Sequence, residues 1–193
     1  MDSDSNGGPS RNLAEGRLNV FALVIYIPDP LGSLLDDLRR ELVPHYNPHA
    51  HVSVLPPRPL AVDWQTASDQ ARALTGGWAP FDVELTELQL FPQTDVLYLA
   101  VGAGASELRR IHLAMNSGAL QFKEPFPYHP HVTLAQEVAH EDVPAMCERA
   151  RRRWAEYRGS RTFRADRAVF VQAIDGSRWI DLAEYCLGSA PVR

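Results

Sequence analysis

The sequence predicts an α+β protein built as one unit with two similar lobes. The chain has 193 residues, 45% of them in the hydrophobic set, which is enough to bury a sizeable core. Segments with an apolar period of two alternate with segments of helical spacing, in the order βαβαββαβαββ. The first half of that order, βαβ and then a hairpin, is echoed in the second half by αβ and then a hairpin.

In the first half the elements follow from apolar spacing and from the prolines that end them. The predicted elements are a buried strand over Leu18–Ile27, a helix from Leu31 that Pro44 closes, a strand over His49–Leu55, a helix from Asp63 to about Leu74, and a hairpin of strands at Phe81–Leu85 and Val96–Val101 around the turn Pro92–Asp95.

The second half is predicted in the same way, with a Pro just inside one helix start and an Asp-Gly pair as a hairpin turn. The predicted elements are a helix from about Ser106 that carries Leu108, Ile111, Met115 and Leu120, a short strand over His131–Ala135, a helix from Asp142 to about Trp154, and two strands over Thr162–Ala173 and Arg178–Leu187 that turn at Asp175-Gly176.

The N-terminal residues differ in composition from the rest. Residues 1–16 contain Ser, Asp, Asn, Gly and Pro with almost nothing apolar, which predicts a disordered leader before a single domain over residues 17–193. They lack the cationic and apolar regions of a secretory signal, and no apolar run approaches the ~20 residues of a membrane span. We therefore expect a cytoplasmic protein that does not enter a membrane.

Charge and cysteine content exclude further classes. The 19 basic and 24 acidic residues give a net charge of −5, whereas proteins that coat long nucleic acids carry a basic surface. Any phosphate ligand should therefore be a small molecule or a chain end held in a local pocket. Cys147 and Cys186 are too few for a disulfide scaffold or a zinc site and fit a reducing compartment.

A short pattern, His-x-hydroxyl-aliphatic, occurs once in each half of the chain. The first copy is at His51 and Ser53 and the second at His131 and Thr133, 80 residues apart, both within predicted strands. Because side chains in a strand alternate between its two faces, each histidine shares a face with its hydroxyl partner. Two such strands side by side would present two imidazoles and two hydroxyls to one cleft.

These groups suit displacement at phosphorus, which needs a base for the attacking oxygen and an acid for the leaving oxygen. Histidine, with an ordinary pKa near 6.5, can take either role at neutral pH. Hydroxyl groups can donate hydrogen bonds to the non-bridging oxygens, where negative charge is concentrated in the transition state.

With these two motifs the sequence resembles the two-histidine (2H) phosphoesterases, which include the 2'-5' RNA ligase-like proteins and the cyclic phosphodiesterases. The resemblance covers about residues 18–188. It implies two pseudo-symmetric lobes, each an antiparallel sheet with helices outside, around a central cleft. It also implies metal-independent hydrolysis of a 2',3'-cyclic phosphate or a 2'-5' phosphodiester.

By this resemblance His51 and His131 are the catalytic pair, and Ser53 and Thr133 bind the phosphate. Gln136 stands where many relatives carry Arg after the second motif, so one phosphate-side cation is missing. Arg58, just after the first motif, is the residue we expect to supply it.

Aromatic residues precede the second motif, and Phe126 and Tyr128 are candidates for stacking on a nucleobase or for filling the lobe interface. His49 and His129 each stand two residues before a motif histidine. Paired His-x-His sequences could also bind a metal ion, but no completing ligand is evident nearby.

The function predicted is therefore a cofactor-free phosphodiesterase of RNA processing, a monomer, acting on a nucleotide with a cyclic phosphate or on an RNA end. Two alternatives remain open: a non-catalytic module that binds a nucleotide or RNA end in the same cleft, and a metal-dependent hydrolase that uses the His-x-His pairs.

Overall fold

The computed structural model describes residues 16–43, 49–175 and 178–188. Three sequence predictions fall wholly or partly outside them: the leader, of which residues 1–15 are not described, the helix stop at Pro44, and the hairpin turn at Gly176.

Within the described residues the chain forms eight strands, four helices and two short 3₁₀ turns. The strands are β1 (Phe21–Tyr26), β2 (His51–Arg58), β3 (Phe81–Phe91), β4 (Val96–Val101), β5 (His131–Ala135), β6 (Thr162–Ala165), β7 (Arg167–Ala173) and β8 (Trp179–Cys186). The helices are α1 (Leu31–Leu42), α2 (Trp64–Thr75), α3 (Ala105–Met115) and α4 (Val143–Glu156), and the 3₁₀ turns are Gly118–Leu120 and His140–Asp142.

The strands form two four-stranded sheets in which every neighbouring pair is antiparallel. Their orders are β2-β1-β7-β8 and β5-β4-β3-β6. Each strand that carries a motif, β2 or β5, is therefore the edge strand of its sheet. These two edge strands also contact each other, which brings the two motifs to the junction between the sheets.

The two sheets are not the two halves of the chain. The hairpin β3–β4 from the first half pairs with β5 of the second half, and the hairpin β7–β8 pairs with β1 of the first half. The sequence echo of βαβ plus hairpin is present, but each half contributes its hairpin to the sheet that holds the other half's motif strand. Each sheet consequently depends on residues from both ends of the chain.

One predicted strand, Thr162–Ala173, is wrong as a single element. It is divided at Asp166 into β6, which pairs with β3, and β7, which pairs with β1 and β8, so the chain crosses there from one sheet to the other. Both strands keep an apolar pattern, so periodicity alone did not separate them. The signal is local: Asp166 and Arg167 are both exposed, and this shifts the alternation by one residue.

The predicted third helix is also shorter than expected. It ends at Met115, and Leu120 is buried from the separate 3₁₀ turn rather than from the helix. Asn116 explains the break, since its side-chain oxygen accepts from the backbone N–H of Phe122 at 2.8 Å and so fixes a turn.

The helices place their apolar stripes on the sheets. Leu35 and Leu38 of α1, Ala67 of α2, Leu108 of α3 and Ala150 of α4 are all almost fully buried. Each buried leucine contributes roughly 1.5–3 kcal/mol relative to an exposed one. Helix α1 packs on β5 and helix α3 packs on β2, so the helices also connect the two sheets. No helix in the described ranges is long and apolar enough to cross a membrane.

Candidate active site

The two motif strands have the same pattern of exposure. In β2, His51 and Ser53 are half-buried while Val52 and Val54 are buried, and β5 repeats this pattern from His131 to Leu134. The residues of each motif therefore lie as the period of two predicts, with the imidazole and the hydroxyl on one face and the aliphatic side chains in the core.

The structure brings the two imidazoles close together. Strands β2 and β5 are in contact, and His51 and His131 are near enough that a charge on His131 lowers the pKa of His51. The two motif histidines, 80 residues apart in the sequence, thus lie near each other at the junction between the sheets.

Both histidines are held by the same hydrogen bond. The Nδ1 atom of His51 lies 2.8 Å from the carbonyl oxygen of His49, and Nδ1 of His131 lies 2.6 Å from the carbonyl oxygen of His129. A carbonyl oxygen can only accept, so Nδ1 carries the proton in each ring and Nε2 of the neutral ring is left as the acceptor.

Burial sets the proton affinity of the pair. It lowers the pKa of His51 from 6.5 to about 4; the bond to the His49 carbonyl opposes this, and the nearby Arg39 guanidinium lowers the pKa further. Burial also lowers the pKa of His131. Neutral imidazole is thereby favoured at His51, which suits a general base.

Aromatic side chains flank both histidines, and sequence reasoning missed them. Tyr26 stands opposite His51 on β1, with ring centroids 6.3 Å apart. Tyr98 and Phe91 stack on each other and both present faces or edges to the ring of His131, at centroid distances of 5.3 and 5.1 Å. These contacts depend on strand register, which the sequence did not supply.

Comparison with known proteins identifies the family. The profile of the 2'-5' RNA ligase superfamily matches residues 27–177, which is most of the chain. The chain belongs to the 2'-5' RNA ligase superfamily. The resemblance to two-histidine phosphoesterases, predicted from the two motifs, is confirmed.

Individual relatives and solved structures agree with this assignment. A protein of Bacillus licheniformis named a putative phosphoesterase is 22% identical over 178 residues, covering 88% of this chain and 99% of its own. The RNA 2',3'-cyclic phosphodiesterase of Aeropyrum pernix is 39% identical over 74 residues, covering 34% of this chain and 41% of its own.

Among solved structures, a Thermus thermophilus protein aligns with a TM-score of 0.64 at 16% identity, over 88% of this chain and 98% of its own. Escherichia coli LigT in complex with 3'-AMP aligns with a TM-score of 0.61 at 14% identity, with the same coverage. The predicted fold class, two antiparallel sheets with helices, is confirmed.

In this member of the superfamily, Arg58 does not lie in the site. Its side chain is 1% exposed and forms an ion pair with Glu124. Its other N–H groups donate to Asn116 Oδ1 at 2.9 Å and to the carbonyl oxygens of Leu120 and Pro56 at 3.1 and 3.0 Å. With its donors used in the interior, Arg58 is a structural residue, and the prediction that it binds phosphate is corrected.

Tyr128 is likewise engaged. Its ring stacks on His112 with centroids 3.8 Å apart and planes 5° apart, and its hydroxyl donates to the carbonyl oxygen of Ser53 at 2.8 Å. One face of the ring is thus covered by His112 and the hydroxyl is bonded to β2, so Tyr128 packs between α3 and the first motif strand. Phe126, in contrast, is 64% exposed and remains accessible.

The residue after the second motif, Gln136, is exposed at the end of β5 and lines an open groove of about 400 Å³ between α1 and α4. Arg149 lines the same groove and donates to the carbonyl oxygen of Glu41 at 3.1 Å. Gln136 and Arg149 therefore belong to this groove.

A resident metal ion would need several ligands at one place. Among the described residues, no three His, Cys, Asp or Glu side chains are grouped so that they could hold one. His49 lies 3.9 Å from Asp36, and the ring of His129 lies against Phe91 and Tyr98. The His-x-His alternative therefore gains no support from the donor set.

Proposed function

We propose that this protein is a metal-independent phosphodiesterase that hydrolyses a 2',3'-cyclic phosphate, or a 2'-5' phosphodiester, of a nucleotide or an RNA end. The observation that supports it is the matched pair of imidazoles, each with Nδ1 bound to the carbonyl two residues earlier. This arrangement leaves two Nε2 atoms for proton transfer at one site.

In the proposed reaction His51 is the base and His131 the acid. The Nε2 atom of His51 takes a proton from water as the water oxygen bonds to phosphorus, and the protonated Nε2 of His131 gives its proton to the ribose oxygen as the P–O bond breaks. Burial, and then the guanidinium of Arg39 partly opposed by the Asp36 carboxylate, favours the neutral form of His51, and the causes that lower the pKa of His131 do not include a guanidinium. After release the pair returns to its starting state by exchanging one proton with solvent.

The hydroxyl groups of Ser53 and Thr133 share the strand faces of the two histidines. We assign them to the non-bridging phosphate oxygens, to which they donate hydrogen bonds. The exposed ring of Phe126 is assigned to stacking on the base of the substrate.

The names of relatives favour a nucleotide or RNA end as the substrate. A solved relative contains 3'-AMP, and another relative is named an RNA 2',3'-cyclic phosphodiesterase. With a net charge of −5, the chain is suited to a small or terminal phosphate rather than to extended duplex. We propose a cytoplasmic monomer that acts in RNA processing and requires no cofactor.

The test is hydrolysis of the four 2',3'-cyclic nucleotides with EDTA, from about pH 5 to about pH 9. Turnover that survives EDTA, follows a bell-shaped pH profile and falls in Ser53→Ala and Thr133→Ala supports the proposal. Loss of turnover with EDTA would instead support the metal-dependent hydrolase.

A second candidate, a binding module without turnover, is favoured by Gln136, because a neutral amide stabilises transition-state charge less than a guanidinium does. It predicts binding of a 3'-phosphorylated nucleotide but no hydrolysis of cyclic or 2'-5' substrates. Measuring affinity and turnover on the same preparation distinguishes the two functions.

A further inference from the structure

The backbone that leads into the first motif adopts an uncommon conformation. His49 has a φ of 67°, in the left-handed region that side chains other than glycine rarely adopt. Such a conformation is strained and persists only where the surrounding structure holds it. The carbonyl of this same residue accepts the hydrogen bond from Nδ1 of His51.

The group that holds this backbone is the carboxylate of Asp36, on helix α1. One of its oxygens accepts from the backbone N–H of Ala50 at 2.7 Å, and the other accepts from the N–H of His49 at 3.1 Å. Its side chain is only 19% exposed, so these bonds form largely out of water. Hydrogen bonds to an ionised acceptor are roughly twice as strong as neutral ones.

Asp36 is itself fixed in place. The guanidinium of Arg39, one turn further along α1, lies 3.4 Å from it and has a side chain that is 8% exposed. Residues three apart on a helix are neighbours, so α1 presents both charges to the start of β2.

The second motif reaches the same geometry by other means. The carbonyl of His129 accepts from Nδ1 of His131. The residue between them is Pro130, whose ring fixes its φ and which has no N–H for a carboxylate to bind. At the corresponding position the first motif has Ala50, whose N–H is bound by Asp36.

We infer that Asp36 is a positioning residue for His51: it holds the His49–Ala50 backbone so that the His49 carbonyl fixes the Nδ1–H form and the orientation of the imidazole. Any effect of Asp36 on catalysis rests on the function proposed above. The series of hydrogen bonds from Asp36 through the His49–Ala50 backbone to His51, the hydrogen-bond relay, can be tested without any substrate.

The primary test is the tautomer of His51, read from nitrogen and proton NMR correlations of the imidazole ring above pH 7. In the wild-type protein and in Asp37→Asn, the Nδ1–H form should dominate. Asp37 is the adjacent carboxylate, but it is exposed and pairs with Arg40, so its variant controls for loss of charge. In Asp36→Asn the Nδ1–H share of His51 should fall, with His131 unchanged.

Kinetics supply the second readout. Asp36→Asn should lower kcat about 10- to 100-fold, because a misplaced base costs rate, while KM changes by less than about threefold. The charge of Asp36 raises the pKa of His51, so its loss should also move the acidic limb of the pH profile to lower pH.

An unchanged His51 tautomer in Asp36→Asn, or a kcat and pH profile equal to those of Asp37→Asn, would overturn the inference. If Asp36→Asn does not fold, Asp36→Glu keeps the charge but moves it by one methylene and should still reduce the Nδ1–H share. If the wild-type protein shows no turnover but the His51 tautomer changes as expected in Asp36→Asn, the proposed function is refuted. The hydrogen-bond relay from Asp36 to His51 is then still supported.

Discussion

The two motif histidines differ in what surrounds them although their hydrogen bonds are alike. His51 lies beside the Arg39–Asp36 pair, whereas the ring of His131 lies against Phe91 and Tyr98. His51 therefore has one aromatic neighbour, Tyr26, and nearby charges, whereas His131 has two aromatic neighbours.

The lowered pKa of His51 predicts how stability depends on pH. The unfolded chain binds a proton at His51 near pH 6.5, whereas the folded chain does so only near pH 4. The contribution of His51 to the free energy of unfolding is therefore complete above about pH 6.5 and is lost as the pH falls through about 4. Thermal unfolding from pH 7 to about 4.5 should show a smaller fall in Tm for His51→Gln than for the wild-type protein. Equal falls would contradict the assignment.

Arg58 gives a second prediction for a single residue. Removing one partner of a buried ion pair costs about 3–5 kcal/mol, so Arg58→Ala should be strongly destabilised in urea unfolding, since Glu124 loses its guanidinium partner and keeps, among the described residues, only His112, at 3.4 Å. Arg164→Ala, which removes an exposed pair with Asp82, should cost at most about 1 kcal/mol. Equal stability of the two variants would contradict a stabilising role for the buried Arg58–Glu124 pair.

For single residues, the sequence predicted the features that follow from strand alternation. It missed the features that depend on contacts between residues far apart in the chain. The shared face of His51 and Ser53 follows from alternation alone. Arg58 is predicted to bind phosphate because it follows the first motif and Gln136 replaces an arginine after the second, yet Glu124, 66 residues away, makes its burial possible. Asp36 gave no signal, because its partners lie 13 and 14 residues further along the chain.

Among the elements, the segment before β5 joins the two motifs directly. The Tyr128 hydroxyl bonds to the Ser53 carbonyl, and His112 of α3, on which Tyr128 stacks, lies 2.9 Å from the carbonyl oxygen of Val54. Helix α3 and the approach to the second motif thus both bind the strand of the first motif. This couples the spacing of β2 and β5.

Tyr128→Phe tests that coupling. It removes one hydrogen bond while keeping the stacked ring, so the free energy of unfolding should fall by about 1 kcal/mol. Tyr157→Phe is the matched control, because the Tyr157 hydroxyl makes an exposed bond of 3.3 Å to a neighbouring carbonyl, and it should stay within about 0.5 kcal/mol of wild type. A Tyr128 variant as stable as the control would show that the bond contributes nothing.

Most elements were predictable because their apolar periods are strong and their ends carry turn or capping residues. Asp63 is an example: it was predicted to begin the second helix, and its carboxylate accepts from the N–H of Thr66 at 2.9 Å. The division at Asp166 was not predicted, since a chain that crosses between sheets can keep an apolar pattern on both sides.

Across the whole molecule the exchange of hairpins is the dominant feature. β1 pairs with β7 and β4 pairs with β5, so both sheets need strands from both halves. A repeat in the sequence shows that two units are similar, but it does not say which copy each hairpin joins. The choice is made by pairing of residues far apart in the chain, and only the structure reveals it.

This topology predicts cooperative unfolding. Neither sheet can lose a hairpin without breaking strand pairing that involves the other half, so both should unfold in one transition. Tryptophan fluorescence and far-UV circular dichroism, followed in urea, should give coincident midpoints. Two separated midpoints would show that the sheets are independent.

The most direct test of the central claim is the hydrolysis rate of 2',3'-cyclic nucleotides by the wild-type protein, His51→Ala, His131→Ala and the double variant. Groups that act as one unit are not additive, so each single variant should lose about 10²- to 10⁴-fold in kcat, and the double variant little more than the worse single. The fold of each variant is checked by circular dichroism. A single variant that retains activity close to wild type would contradict the paired-histidine account.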